Sequence, residues 1–163
     1  MFNKKPFDFI QQKIQELNTA LFFPETGALF NIPNYLVNNI QTDSEGNIWF
    51  IISKPAEYID PLDRKFHCKL DFFKKGTSYY VKVNGTATIF STQDNIAPSN
   101  EMLSIKKCLE NKQMIAVKVE IEKADYFVTP TPETRTNAKK SLFMNLFPEW
   151  DNMSFSFKTS YSN

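Results

Sequence analysis

Few side chains in this sequence are equipped for chemistry. His67 is the only histidine in 163 residues. It has no identifiable nucleophile or carboxylate partner, and the serines lack a GxSxG context, so a hydrolase built on an activated hydroxyl is unsupported. A metal would need companion ligands that the sequence does not offer, and His67 reads as an ordinary strand residue. Cys68 and Cys108 lie far apart with no CxxC pairing and read as buried, reduced thiols. The carboxylate pairs Asp60/Asp63 and Glu120/Glu122 have bland explanations, a helix start and a wet strand face. What is left is Ser53 with the cations Lys54, Arg64 and Lys65, at the two ends of the polar, proline-marked stretch SKPAEYIDPLDRK. No catalytic residue and no metal ligand are assigned.

That stretch is a crossover between strands. Residues 47–52, in GNIWFIISKP, form a nearly continuous apolar run, as expected of a strand covered on both faces. Residues 66–73 alternate, with Phe66, Cys68, Leu70 and Phe72 opposite His67, Lys69 and Asp71. Residues 79–90 do the same, with Val81, Val83, Ala87 and Ile89 on one face. Asn84-Gly85 is also a preferred hairpin pair. Because apolar parity runs unbroken across it, one long strand with Gly85 at a bulge or close contact is the better reading.

The remaining elements should pack on, or complete, this antiparallel sheet. Apolar spacing predicts an amphipathic helix over residues 6–23, ended by Pro24. Short strands are expected over 27–32 and 35–42, and a turn at 43–46. A second helix, capped by Ser99, spans 99–111, and a clear strand runs from 114 to 123 and on toward 127. A terminal helix is expected over 134–147, followed by a Ser-rich tail from 152 that reads as loosely held. The expected fold is mainly β with peripheral helices (α+β), an antiparallel six-stranded split β-barrel in a single domain over 1–163. Within it, 1–24 carries the first helix, 27–128 the barrel with its inserted helix, and 130–163 the last helix and tail.

Composition narrows the function classes. The net charge is +1 with both signs dispersed, which offers no electrostatic footprint for nucleic acid or an anionic membrane. A barrel binding single strands through aromatics and lysines is therefore a distant alternative. No window has the length and apolarity of a signal peptide core or a membrane span, so a cytoplasmic protein is expected. Sixteen Phe against four Gly indicate a dense core and large apolar contacts, within the chain or between subunits.

GNIWFIISKP, FHCKLDFF, YYVKVNGTATI and, after a helix, IAVKVEIEKADYF together resemble the pyridoxamine 5′-phosphate oxidase-like flavin-binding split barrels, in particular the general stress protein branch. The match covers roughly residues 28–127, and it rests on the order and spacing of the motifs more than on any one of them. The resemblance implies a homodimer with FMN, or another small-molecule ligand, held at the dimer interface. It places the flavin-contacting strand end on Phe50, Ile51, Ile52 and Ser53, the start of the phosphate motif on Ser53 and Lys54, and further phosphate contacts on Arg64 and Lys65.

This chain departs from the pattern at two places. Asn38 and Asn39 stand where the family has a basic residue, and Pro55 follows Lys54 at once, with Glu57, Asp60 and Asp63 among the cations. Two readings follow. One is an FMN-binding split barrel, an oxidoreductase if it is an enzyme; the other keeps the dimer and lacks the flavin, binding a different small ligand or none.

Overall fold

The computed structural model describes residues 4–26, 32–55, 64–91, 94, 102–128 and 152–156. Helix α1, Lys4–Leu17, presents Ile10, Ile14 and Leu17 to the core on one face, all essentially without solvent exposure. The helix ends six residues earlier than its apolar spacing predicts. Asn18 takes a left-handed backbone with φ 54°, donates its N–H to the Ile14 carbonyl at 2.9 Å, and accepts from Ile40 N with its side chain at 2.8 Å. That is a helix stop of the αL type.

The chain then enters strand β1, Thr19–Glu25, in place of the expected second half of the helix. Ala20 and Phe22 point into the core while Leu21 faces out, a two-residue period that the helical coincidence of Leu17 and Leu21 conceals. Pro24 lies where β1 has run past its first neighbour, so its missing N–H is tolerated.

The expected strand over 35–42 is split. It forms β2, Tyr35–Asn38, and β3, Gln41–Thr42, on either side of Asn39, whose φ is 55°. Strands β4, Ile48–Ser53, β5, Lys65–Phe72, β6, Tyr79–Phe90, and β7, Met114–Val128, follow, with helix α2, Leu103–Leu109, between the last two. Residues 27–31 and 99–101, the terminal helix expected over 134–147 and the acids Glu57, Asp60 and Asp63 lie outside the described residues.

All pairings are antiparallel, in the order β2-β1-β5-β6-β7-β4-β3. The two ends of that order, β2 and β3, are one stretch of chain interrupted only at Asn39 and Ile40. The sheet therefore curls until a single broken strand serves both edges, as in a split barrel, and because that strand is broken the path counts seven strands where six are expected. A further strand, β8, Asn152–Ser156, pairs with the C-terminal half of β7, beyond the reach of β4. Residues 152–156 of the tail expected to be loosely held are thus paired into the sheet, and Phe155 packs near Phe9 at 6.3 Å between ring centroids.

The alternation read in β5 and β6 is the alternation found: Cys68, Leu70, Phe72, Val81, Val83, Ala87 and Ile89 are buried inside. Gly85 lies in one continuous strand at a register shift against β7, and a Cβ there would collide with the Glu120 carbonyl oxygen. β4 is covered on both faces. Ile48, Phe50 and Ile52 fill the barrel, while Trp49 and Ile51 meet Met102, Ile105 and Leu109 of the α2 segment, Phe90 and Ala116 outside it. Each fully buried side chain of this size stabilises by roughly 1.5–3 kcal/mol before the entropy of ordering is subtracted.

Candidate functional site

The site implied by the resemblance is built from the C-terminal end of β4 and the N-terminal end of β5. β4 holds its end through β7: Ser53 pairs with Met114, and Lys54 N donates to the Gln113 carbonyl at 2.7 Å. The Ser53 side chain is exposed, and its carbonyl accepts from the Tyr35 hydroxyl at 3.0 Å. Burial raises the pKa of Tyr35 above the ordinary phenol value, so it remains a donor. Lys54 is half-buried at the strand exit.

The other half of the site starts at Arg64, whose carbonyl accepts from Ile89 N at 3.2 Å, with Lys65 following opposite Thr88. Ile89 in turn pairs with Val117, and Val117 with Phe50. Arg64 is therefore level with the middle of β4 but three strand spacings away around the sheet, each about 4.8 Å. The fold brings Ser53 and Lys54 together, and Arg64 and Lys65 together. It separates the two pairs.

Arg64 is already engaged. Its Nη1 makes an ion pair and hydrogen bond with Asp94 Oδ2, and the same oxygen accepts from Ser91 N at 2.7 Å and from Ser91 Oγ at 3.2 Å. Burial works to raise the Asp94 pKa, but the Ser91 N–H and the guanidinium outweigh it and hold the carboxyl below its ordinary range. Asp94 was not among the residues picked out from sequence. Its signal is local: Ser91-x-x-Asp94 has capping-box spacing, and Asp94 N also donates to Ser91 O at 3.1 Å.

Phe50 and Ile52 turn their side chains into the core, Phe50 meeting Phe22 edge-on at 5.0 Å, so they offer a ligand only backbone. Ile51 faces outward and is half-covered. Trp49, the other aromatic that could wall a flat ring, is 5% exposed. It lies 5.2 Å from Phe90, and its indole N–H donates to Asp43 Oδ2 at 2.9 Å. Each strand end by itself carries groups that suit a phosphate, Ser53 with Lys54 at one and Arg64 with Lys65 at the other. The described part of a single chain supplies no exposed aromatic wall from β4.

Elsewhere the outer sheet face carries a pocket of ≈ 390 Å³ lined by Glu25, His67, Cys68, Lys69, Asn84, Gly85 and Glu122. Its charges are spoken for: Lys69 pairs with Glu25 at 3.3 Å, and Glu122 accepts from Thr86 at 2.6 Å with His67 4.0 Å away. Burial first, then the nearby Glu122 and Glu25, pushes the Cys68 thiol up to about 12, so it stays protonated and inert. Cys108, expected to be buried, is exposed on α2. Among the described residues no cluster of His, Cys, Asp and Glu is arranged to hold a metal, and no helix is long and apolar enough to cross a membrane.

No family model and no curated protein matches the sequence. Solved structures do. A general stress protein 26 from a Jannaschia species aligns over 94% of this chain and 99% of its own, with a TM-score of 0.59 and 13% identity. A protein related to general stress protein 26, of the pyridoxinephosphate oxidase family, from Clostridium acetobutylicum aligns over 96% and 97%, with a TM-score of 0.55 and 10% identity. The general stress FMN/FAD binding protein of Xanthomonas citri aligns over 79% and 92%, with a TM-score of 0.53 and 13% identity. The chain thus has the split-barrel fold of the general stress protein branch that its motifs resemble. At these identities the likeness is one of fold.

Proposed function

We propose that this protein is a flavin-binding split barrel that works as a homodimer in the cytoplasm, with FMN bound near the strand ends that carry Ser53 and Lys54 on one side and Arg64 and Lys65 on the other. The observation that carries the reading is the fold itself, shared over 79% of this chain with a protein described as FMN/FAD binding. The exposed Ser53 hydroxyl beside the half-buried Lys54, at the end of a strand fixed by β7, supports it. The flavin, when bound, supplies electron transfer to a small molecule. The chain's own part is to bind and orient: backbone of Ile51 to Ser53 for the ring edge, cations for the phosphate. With Trp49 covered by the α2 segment, the apolar wall for the ring falls to the second subunit, which is what makes a dimer part of the proposal.

A second reading, a dimer that has lost flavin, is favoured by one observation, the engagement of Arg64 by Asp94. The absorbance spectrum of freshly purified protein separates the two. Flavin bands, and a melting temperature that rises with added FMN, are expected from the first. A colourless protein indifferent to FMN would leave only the second.

A further inference from the structure

We propose that Asp94 is a built-in competitor for the anion of the ligand, a specificity-determining residue that decides how strongly a phosphate can be held at Arg64. The inference rests on the proposed flavin reading only for what the rest of the ligand is; the competition itself concerns any phosphate.

The geometry supports competition more than simple pairing. Asp94 Oδ2 is placed by groups other than Arg64, since Ser91 N and Ser91 Oγ both donate to it, and Ser91 is 7% exposed. The carboxylate is thus fixed at the end of β6, and the guanidinium comes to it from the start of β5. A carboxylate and a phosphate present the same acceptor oxygens to the same planar donor fork. Both members of the pair are only 28% exposed, so solvent screens the contact incompletely. A phosphate dianion reaching Arg64 must either displace Asp94 or sit beside its negative charge. A neutral ligand, or one whose anion is met by Lys54 alone, pays neither penalty.

The test uses inorganic phosphate as probe, titrated at constant ionic strength against chloride with melting temperature as readout. Asp94→Asn should bind phosphate roughly fivefold or more tighter than wild type, the size usual for coupling between mutually exclusive ligands. The gain should vanish in the double variant Asp94→Asn/Arg64→Ala. Equal affinity in wild type and Asp94→Asn, weaker binding in the variant, or a gain that survives loss of Arg64 would each overturn the proposal. If Asp94→Asn does not fold, as circular dichroism would reveal, Ser91→Ala removes one anchor and keeps both charges. It should show a smaller gain of the same sign, and no gain would count equally against the idea.

FMN and riboflavin, which share the ring and differ in the phosphate, complete the experiment. Asp94→Asn should tighten FMN and leave riboflavin unchanged. If phosphate binding improves while neither flavin binds either protein, the flavin reading falls and the role of Asp94 stands. If both proteins bind FMN equally and phosphate affinity does not change, Asp94 is no competitor and the flavin reading stands.

Discussion

Among the described residues two carboxylates, Glu16 and Asp94, have pKa values held below the ordinary range, and they sit in contrasting settings. Glu16, near the end of α1, accepts from the Tyr79 hydroxyl of β6, from Lys13 at 3.1 Å and from Gln12 at 3.0 Å. The Tyr79 hydrogen bond, followed by that of Lys13, lowers its pKa. Lys13 also sits 4.8 Å above the Tyr79 ring and 5.6 Å from that of Phe9. The Tyr79 bond and the Lys13 contact with its ring fasten helix to sheet, while Gln12 and Lys13 brace Glu16 within the helix. Asp94 is bound just as specifically, but the cation it takes up is one the resemblance assigns to the ligand. The same chemistry is cohesive where a helix meets the barrel and, on the proposal made for Asp94, competes with a ligand at the strand end. A count of ion pairs would not distinguish the two.

Helix α1 is fastened at its N-terminal end as well, and the largest effect is expected there. Phe7 packs directly on Gly46, where φ is 85° and a Cβ would fall within the ring. Gly46→Ala should therefore destabilise by roughly 2–4 kcal/mol, through overpacking and left-handed strain together, seen as a lower urea midpoint. An undiminished midpoint would show that α1 can shift off the turn without loss.

Next in size, Tyr79→Phe should cost about 1 kcal/mol at neutral pH, since the bond it removes is partly solvated. The same variant probes the alkaline side. Burial, then the Glu16 bond, raises the Tyr79 pKa from 10.0, so its contribution is intact below that value and is lost as pH rises through the folded one. Cys68, with 9.0 raised to about 12, follows the same sign. The wild type should lose stability steadily above pH 9, and Tyr79→Phe should lose less of it. Parallel curves would detach Tyr79 from the helix contact.

The smallest effect is expected at the site itself. Asp94→Asn should change stability by under about 1 kcal/mol at neutral pH, the range for partly exposed pairs. Its depressed pKa makes that contribution present above the unfolded value of 3.8 and lost as pH falls through the folded one, so the two proteins should converge in acid. A loss of several kcal/mol at neutral pH would move Asp94 into the cohesive class with Glu16 and erase the contrast.

The sheet was legible wherever one side-chain period dominated. Continuous apolar β4 and alternating β5 and β6 each have one explanation, and parity carried through Asn84-Gly85 to the right strand. β1 was not legible, because Leu17 and Leu21 keep helical spacing while Ala20 and Phe22 keep strand spacing, and the deciding fact is the left-handed turn at Asn18. β8 escaped because five residues, three of them polar, become a strand only against the half of β7 that β4 does not pair with. At the site, the strand ends carrying Ser53 and Lys54 were readable from the apolar run before them. One partner of Arg64, Asp94, lies 30 residues on, and no sequence period links the two.

The broken strand that serves both edges of the sheet has a kinetic consequence. β1 pairs with β2, β3 with β4, and β5, β6 and β7 in turn, so each group can assemble through shorter connections than the joints between the groups require. Only the joints β1 to β5 and β4 to β7 span the two groups. Lys54 leaves the first group and Arg64 opens the second. A ligand held by both would act as a clasp across the two halves, and its presence should register chiefly as slower unfolding.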